Sequence, residues 1–160
     1  MAENEVRANF DGLKKLIGSF RGVNDMRVKV GILSNKASRN AGDGETNVSI
    51  GAKHEFGSYS EHIPQRSFLK MPLEKKSQEI ARSAIKTIAQ DMVNGDLIPT
   101  LKILGIAGEA AVADAFKSGG FGQWKPISTM TAELKGSTAI LIETSQLQRS
   151  ITSAVVKKGE

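Results

Sequence analysis

The stretch H-E-F-G-S-Y-S-E-H-I-P-Q-R-S-F-L, residues 54–69, gathers most of the reactive side-chain types of this 160-residue chain. It holds both histidines, two glutamates and an arginine. Read as a metal site, it lacks ligand spacing. His54 and Glu55 are adjacent, so on a helix they point about 100° apart. His62 lies across Gly57 and a polar segment, and no H-E-x-x-H pattern is present. A structural zinc site takes four ligands, which this stretch does not offer. Read as an acid–base site, His54 would be the base and Glu55 its orienting carboxylate. No G-x-S-x-G nucleophile motif accompanies them. G-D-G at 42–44 and G-G-F-G at 119–122 match neither a phosphate loop nor a dinucleotide fingerprint, and read as turns. The expectation is therefore no catalytic residue, no cofactor and no metal.

Read as structure, the same stretch is coherent. Phe56 and Phe68 are apolar anchors at the two ends of a polar loop, and Gly57 supplies a turn. Pro64 fixes its own φ and biases Ile63 toward an extended conformation. Arg66 is placed to clamp carbonyls, or a carboxylate such as Glu55. The segment then reads as a short helix over 48–56, a loop, and a strap leading into a longer helix.

The elements around it follow from periodicity. Val6, Phe10, Leu13 and Ile17 predict a helix over 5–18 that stops at Gly18 and Gly22. M-R-V-K-V-G-I-L, 26–33, alternates as a half-buried strand. Residues 34–47 are polar and turn-rich, and read as an exposed loop without a core anchor. Leu73, Ile80, Ala84, Ile88 and Met92 form one stripe, predicting a single helix from Pro72 to about Val93. Asp96 is the candidate cap of the next helix, 98–117, where Gly105, Gly108 and several alanines make a thin face for close approach. Ser128 opens a short helix, 138–142 reads as a strand or buried turn, and I-T-S-A-V-V-K, 151–157, as the last strand. The predicted fold is one α+β domain over 1–160: a small, mainly antiparallel sheet packed against two long helices, with extended loops and flexible ends at 1–4 and 158–160.

Composition narrows the function classes. Cysteine is absent, which removes disulfides and thiolate chemistry and fits a reducing compartment. No apolar run reaches the ~18–20 residues of a membrane span. Lys and Arg total 22 against 17 Asp and Glu, a net +5. That permits a polyanionic neighbour, but the cations are dispersed and do not interleave with aromatics as in single-strand binders. A small basic nucleic-acid-associated protein stands as the alternative function.

Four segments together carry a resemblance. H-E-F-G at 54–57, I-P-Q-R-S-F-L at 63–69, W-K-P-I-S at 124–128 with Thr131 and Lys135, and L-I-E-T-S-Q-L-Q-R-S-I at 141–151 occur in order. They resemble the virion-morphogenesis or tail-completion (neck) proteins of tailed bacteriophages, over about residues 26–157. Ser145 stands where that family has Gly, and Ile127 where it has Leu. The resemblance implies a non-enzymatic virion component at the neck or head-proximal tail end, assembled in the host cytoplasm. It further implies a ring of identical copies around the DNA channel, sixfold by analogy alone. Neighbours would be head–tail connector, tail terminator or tail tube proteins, with incidental proximity to channel DNA and no membrane. His54, Glu55, Phe56 and Gly57 would then build the short helix and turn, and Ile63, Pro64, Arg66 and Phe68 the strap. Trp124, Pro126, Thr144 and Leu147 would belong to the C-terminal half, with Trp124, Pro126 and Leu147 packing it on the helices.

Overall fold

A computed structural model describes residues 2–37, 45–127, 133 and 146–159. The fold is α+β. In chain order it contains α1 (Ala2–Val23), β1 (Met26–Ile32), a 3-10 turn (Ser34–Lys36) and α2 (Asn47–Phe56). These are followed by α3 (Lys70–Lys75), α4 (Ser77–Ser83), α5 (Ile85–Asn94), α6 (Ile98–Ser118), a short α7 (Gln146–Arg149) and β2 (Ile151–Lys157).

β1 and β2 pair antiparallel, from Met26 opposite Lys157 to Ile32 opposite Ile151. Arg27 and Lys29 are exposed while Val28 and Val30 are partly covered, as the alternation of β1 requires. The sheet lies on α6 at short range. A Cβ on Gly105 would sit 2.6 Å from Ser153 Oγ, and one on Gly108 would sit 2.9 Å from Val30 Cγ2. The two glycines thus form the flat seat on which the strands rest. Beyond that seat, α6 buries Val112, Ala115 and Phe116 into a core shared with Phe68, Trp124 and Leu147.

Several expectations change. The helix expected from Pro72 to Val93 runs as three segments, α3 to α5, hinged at Lys76 (ψ 14°) and Ala84 (ψ −16°). Hydroxyls compete for helix carbonyls there. Ser83 Oγ donates to Ile80 O at 2.6 Å and Thr87 Oγ1 to Ala84 O at 3.2 Å. Gly18 and Gly22 do not stop α1, which continues to Val23, and residues 2–4 are helical where a flexible end was expected. Asp96 lies one residue before the assigned cap, Leu97, and its Oδ1 accepts from Ile98 N at 2.9 Å. The 34–47 loop is anchored at its base. Asn47 is 4% exposed, and its Nδ2 donates to Lys36 O while its backbone N donates to Ala37 O, both at 2.9 Å. Ser128, Thr131, Lys135, Thr144 and the 138–142 segment lie outside the described residues. No helix among the described residues is long and apolar enough to cross a membrane.

Candidate functional site

Thr46 starts α2 by accepting a hydrogen bond from Ser49 N at 3.0 Å, and Gly57 ends it at φ 80°. Gly57 has little room for a side chain, since a Cβ would stand 3.1 Å from Gln65 N. The chain then makes a closed turn. Ser58 and Ile63 exchange two backbone hydrogen bonds of 2.9 Å, and His62 takes φ 54° between them. Tyr59, at the tip, is 98% exposed. Lys53 pairs with Glu45 and with Glu61, the latter at 2.7 Å. Those two hydrogen bonds, Glu45 first, raise the Lys53 ammonium above its ordinary value.

Glu55 sits on the opposite side of α2, 7% exposed. Its Oε2 accepts from Phe68 N at 2.8 Å and Leu69 N at 2.9 Å. Its Oε1 accepts from Ser67 Oγ at 2.8 Å and Lys70 N at 3.1 Å. A carboxylate has about four lone-pair sites, and all are occupied. Ser67 Oγ in turn accepts from Met71 N at 3.0 Å, so Glu55 and Ser67 together cap the start of α3. With its acceptor capacity filled by backbone donors, Glu55 is built to hold a chain entry in place. It is not placed to take a proton from a substrate.

The strap is zipped to a distant segment. Arg66, 6% exposed, donates from Nε to Lys125 O at 3.1 Å, and its backbone N donates to His54 O at 2.7 Å. The guanidinium therefore clamps a carbonyl; burial lowers its proton affinity from the ordinary value. Trp124, 7% exposed, donates from Nε1 to Ser67 O at 3.2 Å. Its indole meets Phe116 edge-on at 5.7 Å and 86°, and Phe116 meets Phe68 at 5.4 Å and 55°. Both are favoured aromatic geometries. G-G-F-G explains how Trp124 gets there. Gly119, Gly120, Phe121 and Gly122 take successive φ values of 61°, 68°, 55° and 79°, a left-handed turn that folds the indole back onto Gly120. A Cβ on Gly120 would lie 2.3 Å from the indole.

The sequence-singled residues thus fall into two groups. Glu55, Arg66, Phe68, Trp124 and Leu147 converge in one buried knot, with the His54 carbonyl, Gly57, Ile63 and Pro64 along its edge. Phe56, 76% exposed, points away from it. Pro126 is exposed too, so it does not pack the C-terminal half on the helices. Among the described residues, no group of three or more His, Asp or Glu could hold a metal ion. Ser67 was missed as a functional position, although a serine a few residues ahead of K-M-P is a recognisable helix-start signal. A groove of about 570 Å³ between α6 and the α7–β2 corner is lined by residues including Ile106, Glu109, Arg149 and Ile151. Its carboxylate is engaged as well, since Glu109 Oε1 accepts from Ser153 Oγ at 2.6 Å. No family model, curated protein or solved structure matches the chain.

Proposed function

We propose that this chain is a structural protein of a tailed-phage virion, one that completes the neck or head-proximal tail end and helps join tail to head. The observation that carries this reading is how the motif residues spend their chemistry. Glu55, Arg66 and Trp124 are all committed to backbone groups of the same chain. What the protein offers outward is large apolar surface on four helices, with Phe20, Phe56, Val93 and Ile106 all more than half exposed. Such surface on a small domain is what a partner covers. The four-segment resemblance supports the same reading, and it alone suggests a ring, sixfold, around the DNA channel. The partners proposed are further copies and the connector, tail terminator or tail tube proteins. The net charge of +5 suits a wall near packaged DNA.

A phage deleted for this gene should yield filled heads and separate tails. Supplying the protein in trans should restore joined particles. Normal joined particles from the deletion would refute the reading. The exposed Arg27 and Lys29 on the outer side of β1 favour one alternative, a non-enzymatic nucleic-acid-associated protein. Micromolar duplex DNA binding with a steep salt slope, read by fluorescence anisotropy, would support it.

A further inference from the structure

Two helices carry apolar stripes that nothing in the chain covers. On α1, Leu16, Ser19 and Val23 face inward, and Ser19 Oγ lies 3.4 Å from Met92 O of α5. At about 100° per residue, Leu13, Ile17 and Phe20 form a second stripe beside that face. They are 49%, 42% and 53% exposed. On α2, Asn47, Gly51 and Glu55 face inward. Val48 (46%) and Phe56 (76%), with the exposed Ala52 between them, form an i, i+4, i+8 row outside. The row continues onto Tyr59 at the tip of the adjoining turn.

The charges beside the two stripes differ in sign. Residues 12–23 contain Lys14, Lys15 and Arg21 and no acid. Beside the α2 row, Glu45 and Glu61 share Lys53, leaving an excess of carboxylate. A like-with-like contact of α1 stripes would crowd cations together, whereas α1 against α2 sets cations beside carboxylates. We propose that the α1 stripe of one copy docks on the α2 row and Tyr59 tip of the next copy, head to tail. This rests on the assembly reading above and deepens it by naming the surfaces. Because the two faces differ, the contact is heterologous and repeats from copy to copy, as a ring or filament requires.

The test uses Ile17→Glu, which spoils the α1 face, and Phe56→Glu, which spoils the α2 face. Both positions are exposed, and circular dichroism melts close to wild type verify that each variant folds. In sedimentation velocity from micromolar to submillimolar concentration, the wild type should grow beyond a dimer. Each variant should self-associate at least about tenfold more weakly. An equimolar mixture of the two should form a heterodimer and stop there, because one intact pair of faces remains. As a second measurement, Ile17→Cys and Phe56→Cys chains, mixed and oxidised, should cross-link to each other; the cysteine-free background makes this unambiguous. A wild type that stays monomeric, variants that assemble unimpaired, or a mixture that neither dimerises nor cross-links would each overturn the proposal. None of those outcomes touches the neck reading, which stands or falls on the deletion phage.

Discussion

Glu55→Ala removes the acceptor for three backbone N–H groups and one hydroxyl at once. The cost follows from where those donors sit. Phe68 is fully buried, so its N–H has no route to water; a buried donor left unsatisfied costs about 1–3 kcal/mol. Leu69 is half-buried and recovers part of its loss, while Lys70 is exposed and rebonds to water. The Ser67 hydroxyl can turn to another acceptor. Adding the lost methylene packing gives about 3–5 kcal/mol, a large part of the ~5–15 kcal/mol stability of a typical domain. For a chain of this size that corresponds to roughly 6–20 °C in Tm. Glu55→Gln keeps one oxygen for Phe68 and Leu69 and turns its amide toward Ser67 and Lys70, so its loss should be smaller, about 1–2 kcal/mol. Urea unfolding followed by circular dichroism, with unchanged slopes, measures all three proteins. The capping argument fails if Glu55→Ala unfolds within about 1 kcal/mol of wild type. A proton-transferring glutamate would behave that way, since removing it frees no buried donors.

Other perturbations test separate parts of the account. Gly105→Ala and Gly108→Ala should each destabilise by about 1–3 kcal/mol despite the better helix propensity, because the new methyl meets Ser153 or Val30. Gly18→Ala and Gly22→Ala, with nothing within 4 Å, should instead stabilise α1 by about 0.5–1 kcal/mol in the same urea assay. The single tryptophan is 7% exposed, so its fluorescence should be blue-shifted, resist iodide quenching and shift red on unfolding. The Lys76–Asp114 pair, 2.8 Å apart, should shape stability at both pH extremes. The Lys76 hydrogen bond lowers Asp114 below its ordinary 3.8, so its contribution is present above 3.8 and lost as pH falls through the lowered value. The Asp114 hydrogen bond raises Lys76 above 10.5, so that contribution is present below 10.5 and lost as pH rises through the raised value. Asp114→Asn should flatten both limbs of the stability–pH curve, and high salt should weaken the difference because the pair is solvent-accessible.

What could be read in advance was local. The alternation of β1 and the thin face of α6 are periodicities, and each follows from one element's own residues. The strap was legible in its landmarks, Gly57, Pro64 and Arg66, but its central bond was not. Glu55 caps a helix that begins fifteen residues later. Capping rules look for a partner within one turn, so a cap delivered from a neighbouring helix leaves no local trace. The breaks at Lys76 and Ala84 escaped for a related reason. Neither is Gly or Pro, and Lys76 reaches across to Asp114 on α6. Gly18 and Gly22 misled in the other direction, because a helix can carry glycine at a cost of about 1 kcal/mol each when its neighbours favour continuation. The exposed row on α2 was written in the sequence at i, i+4, i+8. Periodicity, however, cannot tell a stripe that faces the core from one that faces out.

The pairing of β1 with β2 also sets a schedule. Partnered positions lie between 119 and 131 residues apart along the chain. On the ribosome, Met26–Ile32 must wait for most of the polypeptide to emerge before it has anything to pair with. During that interval a short apolar ribbon stands open beside a helix whose glycine seat is empty. Contacts this distant in sequence make folding slow relative to helical domains. The segment most in need of chaperone cover during synthesis is therefore near the start of the chain, and its protection arrives only once Lys157 has been made.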